Sequence, residues 1–252
     1  MIPVPSGRVL FYCGNMTKCT LILAVHGAGL QSSFYGALAP HLTDFAFKPV
    51  TLPGHDARRP APLLADISAM AGWLATEIDA APADYNVVLL GHSMGALVAL
   101  EAAAHPRVTA AILIGAAASM PVNPELLQAA RDNPAEAAGM VAKWGVWRDH
   151  PQAEALRGIL ASLMAATPQE ALAADLAACS TYTDAASAAA RVQKPVLVLA
   201  GEADKMTPLT GAQALAELLP QGSLAVMEKA GHMLPVEKPL ELAQEIKAFL
   251  SV

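Results

Sequence analysis

Four short runs of uninterrupted apolar residues stand out along the chain, at 20–25, 87–90, 110–114 and 195–199. They carry almost no charge and end in glycine or other small residues. Continuous hydrophobicity, in place of strict alternation, is what a strand shows when both faces of its sheet are covered, so these runs predict buried parallel strands. A fifth apolar run, 224–227, precedes a glycine-histidine pair. Between the runs the period changes. Over 67–79, Ile67, Met70, Ala71, Leu74 and Ile78 fall on one face of a helix with polar residues opposite. Segments 94–104, 211–219 and 239–250 read as further helices. Alternating strand and helix argues for an α/β chain: a mostly parallel, doubly wound sheet with helices on both faces.

One stretch breaks the alternation. From about 121 to about 191 no strand pattern is present, only Ala-rich helical segments punctuated by Pro124, Pro134, Pro151 and Pro168. An all-helical insertion between two strands predicts a lid (cap) over 121–191, set into a core built from 1–120 and 192–252. No repeat or low-complexity linker marks a second independent domain.

Composition narrows the function classes. Hydrophobic residues make up 54% of the 252 and charged residues 15%, so the chain has the means to bury a large core. One uncharged stretch, 108–124, is broken by Gly115, Ser119 and Pro121 and reads as a strand and its loop, not a membrane span. Residues 1–10 lack the basic and apolar regions of a signal peptide, so a cytoplasmic protein is expected. The formal charge of −6, with no cluster of Lys or Arg, argues against a nucleic-acid partner. Cys13, Cys19 and Cys179 lack CxxC spacing and are expected as reduced, buried small hydrophobes. No histidine spacing suits a metal site, and no cofactor is implied.

Candidate chemistry is concentrated after the strands. Gly91-His92-Ser93-Met94-Gly95 matches G-x-S-x-G, follows one strand and precedes a helix. A serine on such a turn is held in a strained backbone conformation, which demands small flanking residues where chain segments approach closely. The helix N-terminus beyond it favours developing negative charge. His26-Gly27-Ala28-Gly29 directly follows the strand at 20–25, where a loop can present a backbone N–H to an oxyanion; Ala28 and Met94 are the expected donors. Taken alone, that segment reads equally well as a plain turn. Gly201-Glu202-Ala203-Asp204 follows the strand at 195–199, and Ala230-Gly231-His232-Met233 follows the run at 224–227. The chain order Ser93, Asp204, His232 then suits a nucleophile, an orienting acid and a general base. Glu202 is the competing acid, ranked below Asp204 because it lies closer to the strand end. His92 is expected to pack or bond locally, and His41, His105 and His150 to lie at the surface.

These segments, together with Leu52-Pro53-Gly54-His55-Asp56, resemble the α/β-hydrolase superfamily, in its lid-bearing branch of small esterases, lactonases, C–C hydrolases and cofactor-free haloperoxidases. The resemblance spans roughly residues 20–250 outside the lid. It implies an α/β-hydrolase fold and hydrolysis of a carboxylic ester or related small-molecule acyl substrate through an acyl-enzyme on Ser93. Within the lid, Trp144 and Trp147 stand at helical spacing and are expected on one face, either docking the lid or walling a substrate pocket. The same triad would serve a lactonase, a C–C hydrolase, a perhydrolase or a lyase. A non-catalytic binding protein on the same scaffold is the reading from another class. The sequence leaves the oligomeric state open.

Overall fold

The computed structural model describes residues 19–251; the amino-terminal segment and Cys13 lie outside the described residues. Six strands lie among the described residues: β1 (Cys19–Val25), β2 (Ala46–Val50), β3 (Tyr85–His92), β4 (Val108–Ile114), β5 (Val196–Gly201) and β6 (Gly222–Met227). They pair in the order β2-β1-β3-β4-β5-β6, and every pairing among the described residues is parallel. Strand-by-strand alternation of side chains builds two cores. Leu21, Leu23 and Val25 of β1 face one cluster, while Ile22 and Ala24 face the other.

The helices divide between those faces. α1 (Ile67–Asp79) begins where Asp66 accepts from the Ala69 amide, and it buries the five apolar residues of its predicted face. It packs on the first core with α2 (Met94–Ala102). Between β4 and β5 lie α3 (Pro124–Asp132), α4 (Pro134–Gly145), α5 (Ala153–Ala165), α6 (Gln169–Thr181) and α7 (Ala185–Arg191). Pro124 and Pro134 are the first residues of α3 and α4, each preceded by a capping asparagine. At that position the missing N–H costs nothing. α8 (Leu209–Leu218), α9 (Leu234–Glu237) and α10 (Pro239–Leu250) complete the chain.

β2 is the strand that apolar runs do not reveal. Its sequence, Ala-Phe-Lys-Pro-Val, carries a proline and a lysine, which suit its place at one edge of the sheet that the described residues form. Lys48 turns outward to pair with Glu77 at 2.7 Å. Two cysteine expectations divide: Cys179 is free and buried, whereas Cys19 is disulfide-bonded and only partly buried. No helix among the described residues is long and apolar enough to cross a membrane.

Candidate active site

β3 runs to His92 and α2 starts at Met94, so Ser93 occupies the turn itself. Its φ of 54° puts a residue with a Cβ in left-handed backbone space. Such strain persists only where the surroundings enforce it. Here the Ser93 amide donates to the Ile114 carbonyl at 2.8 Å, and the flanking glycines admit neighbouring backbone. A Cβ on Gly91 would lie 2.1 Å from the Gly95 carbonyl oxygen, and one on Gly95 would lie 2.3 Å from that of Val25.

Asp204 and His232 come from the loops after β5 and β6. His232 Nδ1 lies 2.8 Å from Asp204 Oδ2, and both side chains are buried. Oδ1 of Asp204 accepts the Met206 and Thr207 amides, each at 2.8 Å. The Thr207 hydroxyl donates to Oδ2 at 2.6 Å. Burial pushes the Asp204 carboxyl up, but the charge and hydrogen bond of His232 and the bonds from Thr207 prevail and hold it below the usual range. An ionised Asp204 therefore accepts the Nδ1 proton, which turns Nε2 away as the free basic position. Glu202, the competing acid, is exposed and accepts from the Lys229 amide.

Ser93 and His232 line one cavity of about 370 Å³, together with Gly27, Ala28, Thr207 and Met233. Leu30, Met120, Val122, Leu126, Val141 and Trp144 supply an apolar wall. Asn123 and Lys205 add polar groups to it. The two tryptophans part company. α4 ends at Gly145 and Val146 is extended, so Trp147 leaves the helical face. It lines a separate outer groove, edge-on to His150. Helical spacing predicted a shared face; the signal that overrides it is Gly145, between the two tryptophans, where the helix ends.

The loop after β1 is held from its carbonyl side. Gly27 O accepts from His26 Nδ1 at 2.9 Å and from the Leu30 amide at 3.2 Å. His26 Nε2 accepts the Leu52 amide at 3.1 Å, so the ring is neutral with its proton on Nδ1. Burial, with the positive His55 beside it, pushes His26 down to about 3 against the pull of the Gly27 carbonyl. Because the peptide is planar and trans, fixing Gly27 C=O also fixes the opposed Ala28 N–H. His92 stays local: it packs at 4.9 Å from the His232 ring and donates from Nε2 to the His232 carbonyl at 3.0 Å. Burial and the neighbouring His232 push it down to about 3.

Three residues that sequence reasoning missed support this arrangement. Thr207 is one, and its place three residues after Asp204 is a recognisable side-chain turn. Glu237 is buried and accepts the amides of Gly231, Met233 and Trp147, tying the His232 loop to the end of α4. Asp175 of α6 is the third; its signal is a lone charge at helical spacing from Leu172 and Cys179.

The alpha/beta hydrolase family model matches residues 22–245. A pimeloyl-[acyl-carrier protein] methyl ester esterase of Aromatoleum aromaticum is 30% identical, covering 90% of this chain and 96% of that one. A namesake from Neisseria meningitidis is 32% identical, over 84% and 85% of the two chains. Among solved structures, a thermophilic esterase from Thermogutta terrifontis superposes with a TM-score of 0.78 at 28% identity, covering 93% of this chain and 90% of that one.

Proposed function

We propose that this chain, which belongs to the α/β-hydrolase family, cleaves a carboxylic ester in two steps through a Ser93-His232-Asp204 triad. His232 takes the serine proton as Ser93 Oγ attacks the carbonyl carbon. The same proton then passes to the leaving alcohol, giving an acyl-enzyme and a free alcohol. Water, deprotonated by His232, releases the acid and restores the serine. The amides of Ala28 and Met94 hold the negative oxygen of each tetrahedral intermediate; being backbone groups, they need no reorganisation as charge develops.

The observation that carries this reading is a serine in strained left-handed backbone opening on the same apolar cavity as an Asp204-paired imidazole. Buried Asp-His pairs alone also occur as structural ties. The strained serine beside one is hard to account for on structural grounds. Residues 121–191 form the lid, since α3, α4 and α6 supply much of the apolar wall. The acyl part of the substrate lies against that wall, with Trp144 on it. The names of the curated relatives, esterases of a methyl ester on a carrier-bound acyl chain, fit an apolar acyl group of this kind.

Labelling with a fluorophosphonate and replacing Ser93 by Ala tests the assignment. Wild-type protein should be labelled and should hydrolyse p-nitrophenyl esters. Folded Ser93→Ala should show neither, with kcat down by a factor on the order of 10⁴–10⁶. A variant retaining half of the wild-type turnover would exclude Ser93 as nucleophile.

A further inference from the structure

The loop that carries Ala28 is fixed from two directions, and one of them is the lid. Asp175, in the middle of α6, is fully buried. A single oxygen of its carboxylate, Oδ2, receives the Gly29 amide at 2.8 Å and His55 Nε2 at 2.8 Å. The other ring nitrogen of His55 faces the Pro53 carbonyl at 3.1 Å. Both nitrogens thus meet acceptors, and a ring that donates from both is an imidazolium. Asp175 and His55 form a buried ion pair, 120 residues apart in sequence, whose carboxylate also grips the loop after β1. Gly29 is suited to that grip. Its φ of 65° is left-handed, and a Cβ there would come within 2.8 Å of Leu172, also on α6.

These contacts determine what Ala28 can do. The peptide before Ala28 is oriented through Gly27 O by His26 and Leu30. The peptide after it is oriented through Gly29 N–H by Asp175. Two fixed planes on either side of one Cα leave its φ and ψ little freedom, so the Ala28 N–H direction depends on both anchors. One anchor belongs to the core and the other to α6. A buried ion pair is a poor device for stability alone, because apolar residues of similar volume often serve as well or better.

We propose that Asp175 is a positioning residue for the oxyanion hole: with His55 as its partner, it sets the Ala28 loop, so the hole is complete only while α6 is seated on the core. The proposal rests on the assignment of Ala28 as an oxyanion donor and Ser93 as nucleophile. It couples lid position to catalytic competence without any catalytic residue residing on the lid. Asp175 touches neither substrate nor reacting atoms; it acts through Gly29.

The test compares full-length Asp175→Ala and Asp175→Asn with wild type, using p-nitrophenyl ester hydrolysis and the affinity of an alkyl boronic acid, whose tetrahedral serine adduct places an oxygen in the hole. Loss of an oxyanion donor costs about 10²–10³ in kcat, and misalignment should cost less, on the order of 10–100-fold. Asp175→Ala should therefore lose that much in kcat and in boronate affinity together, with KM within about twofold of wild type. Asp175→Asn keeps an oxygen for the Gly29 amide and should recover most of both. Should Asp175→Ala not fold, the double variant Asp175→Leu with His55→Phe removes both charges without orphaning either partner, and the same parallel loss is expected of it. Folded variants with wild-type kcat and boronate affinity would overturn the proposal, as would a loss in KM alone. Ser93→Ala separates the two levels: if it stays active, the triad reading fails. If it is dead while the Asp175 variants are normal, only the positioning role fails.

Discussion

In the proposed triad a carboxylate serves a histidine base only if it is itself immobile and ionised, and at Asp204 two backbone amides and one hydroxyl hold it in place. The amides follow from the turn and survive most substitutions. The hydroxyl of Thr207 does not. Thr207→Val keeps the shape but removes the 2.6 Å bond to Oδ2, the oxygen that also meets His232. We expect kcat to fall by roughly five- to thirteenfold, in line with the loss of one hydrogen bond of about 1–1.5 kcal/mol. Asp204→Asn should be far worse, on the order of 10⁴, because an amide N–H facing Nδ1 selects the wrong imidazole tautomer. Steady-state kinetics on one p-nitrophenyl ester would compare the pair. A Thr207→Val loss as large as that of Asp204→Asn would mean that the hydroxyl does more than steady the carboxylate. At this scale Asp204 and His232 are legible in the sequence because each follows an apolar run in the expected order. Asp175 and Glu237 are not, since their partners Gly29, His55 and Trp147 are brought to them by tertiary packing alone.

Elements were readable where burial dominates and unreadable where it does not. β1, β3, β4 and β5 announce themselves because both faces are covered. Among the described residues β2 sits at one edge and β6 is largely exposed, and each carries only part of an apolar run. The strand-turn-helix element around Ser93 is tightly constrained. Gly95→Ala would drive a Cβ to 2.3 Å from the Val25 carbonyl oxygen, where no flexible side chain can yield. Separating α2 from β1 should cost about 1–3 kcal/mol or more, the range for overpacking a dense core. Chemical denaturation should show a markedly lower midpoint, and one within error of wild type would mean the turn is looser than its geometry implies. The end of α4 gives a gentler case. Trp144 lines the cavity and Trp147 does not, so only Trp144→Ala should change the preference among ester chain lengths, by roughly ten- to a hundredfold. Trp147→Ala should leave the profile as it is. Equal shifts in both variants, or none in Trp144→Ala, would mean that α4 does not wall the acyl site.

The molecule as a whole holds several buried imidazoles, of which His92 and His232 line the cavity, and they pull its stability in different directions with pH. His26 and His92 sit at about 3 in the folded chain, against an ordinary value of 6.5. Below pH 6.5 the unfolded chain takes up protons at these positions that the native state refuses, so stability falls as pH drops from there toward 3. Linkage puts the loss between pH 7 and pH 5 at roughly 2 kcal/mol for each. His55 works oppositely. Burial pushes it down, but the bond and charge of Asp175 prevail and raise it, so its contribution is full below 6.5 and fades as pH rises through its folded value. Asp204, held low, contributes above the ordinary carboxylate range and loses that contribution only in stronger acid. Between pH 7 and pH 5, then, two destabilising histidines are opposed by the partial gain of one. The balance is a net loss that is a large fraction of a typical domain's 5–15 kcal/mol. Urea unfolding at the two pH values should show a clearly lower midpoint at pH 5, and His92→Gln, which cannot titrate there, should flatten the dependence by about half. A wild-type midpoint that is equal or higher at pH 5 would mean that these rings accept protons in place, and that the cavity wall behind Ser93 is wetter than its packing indicates.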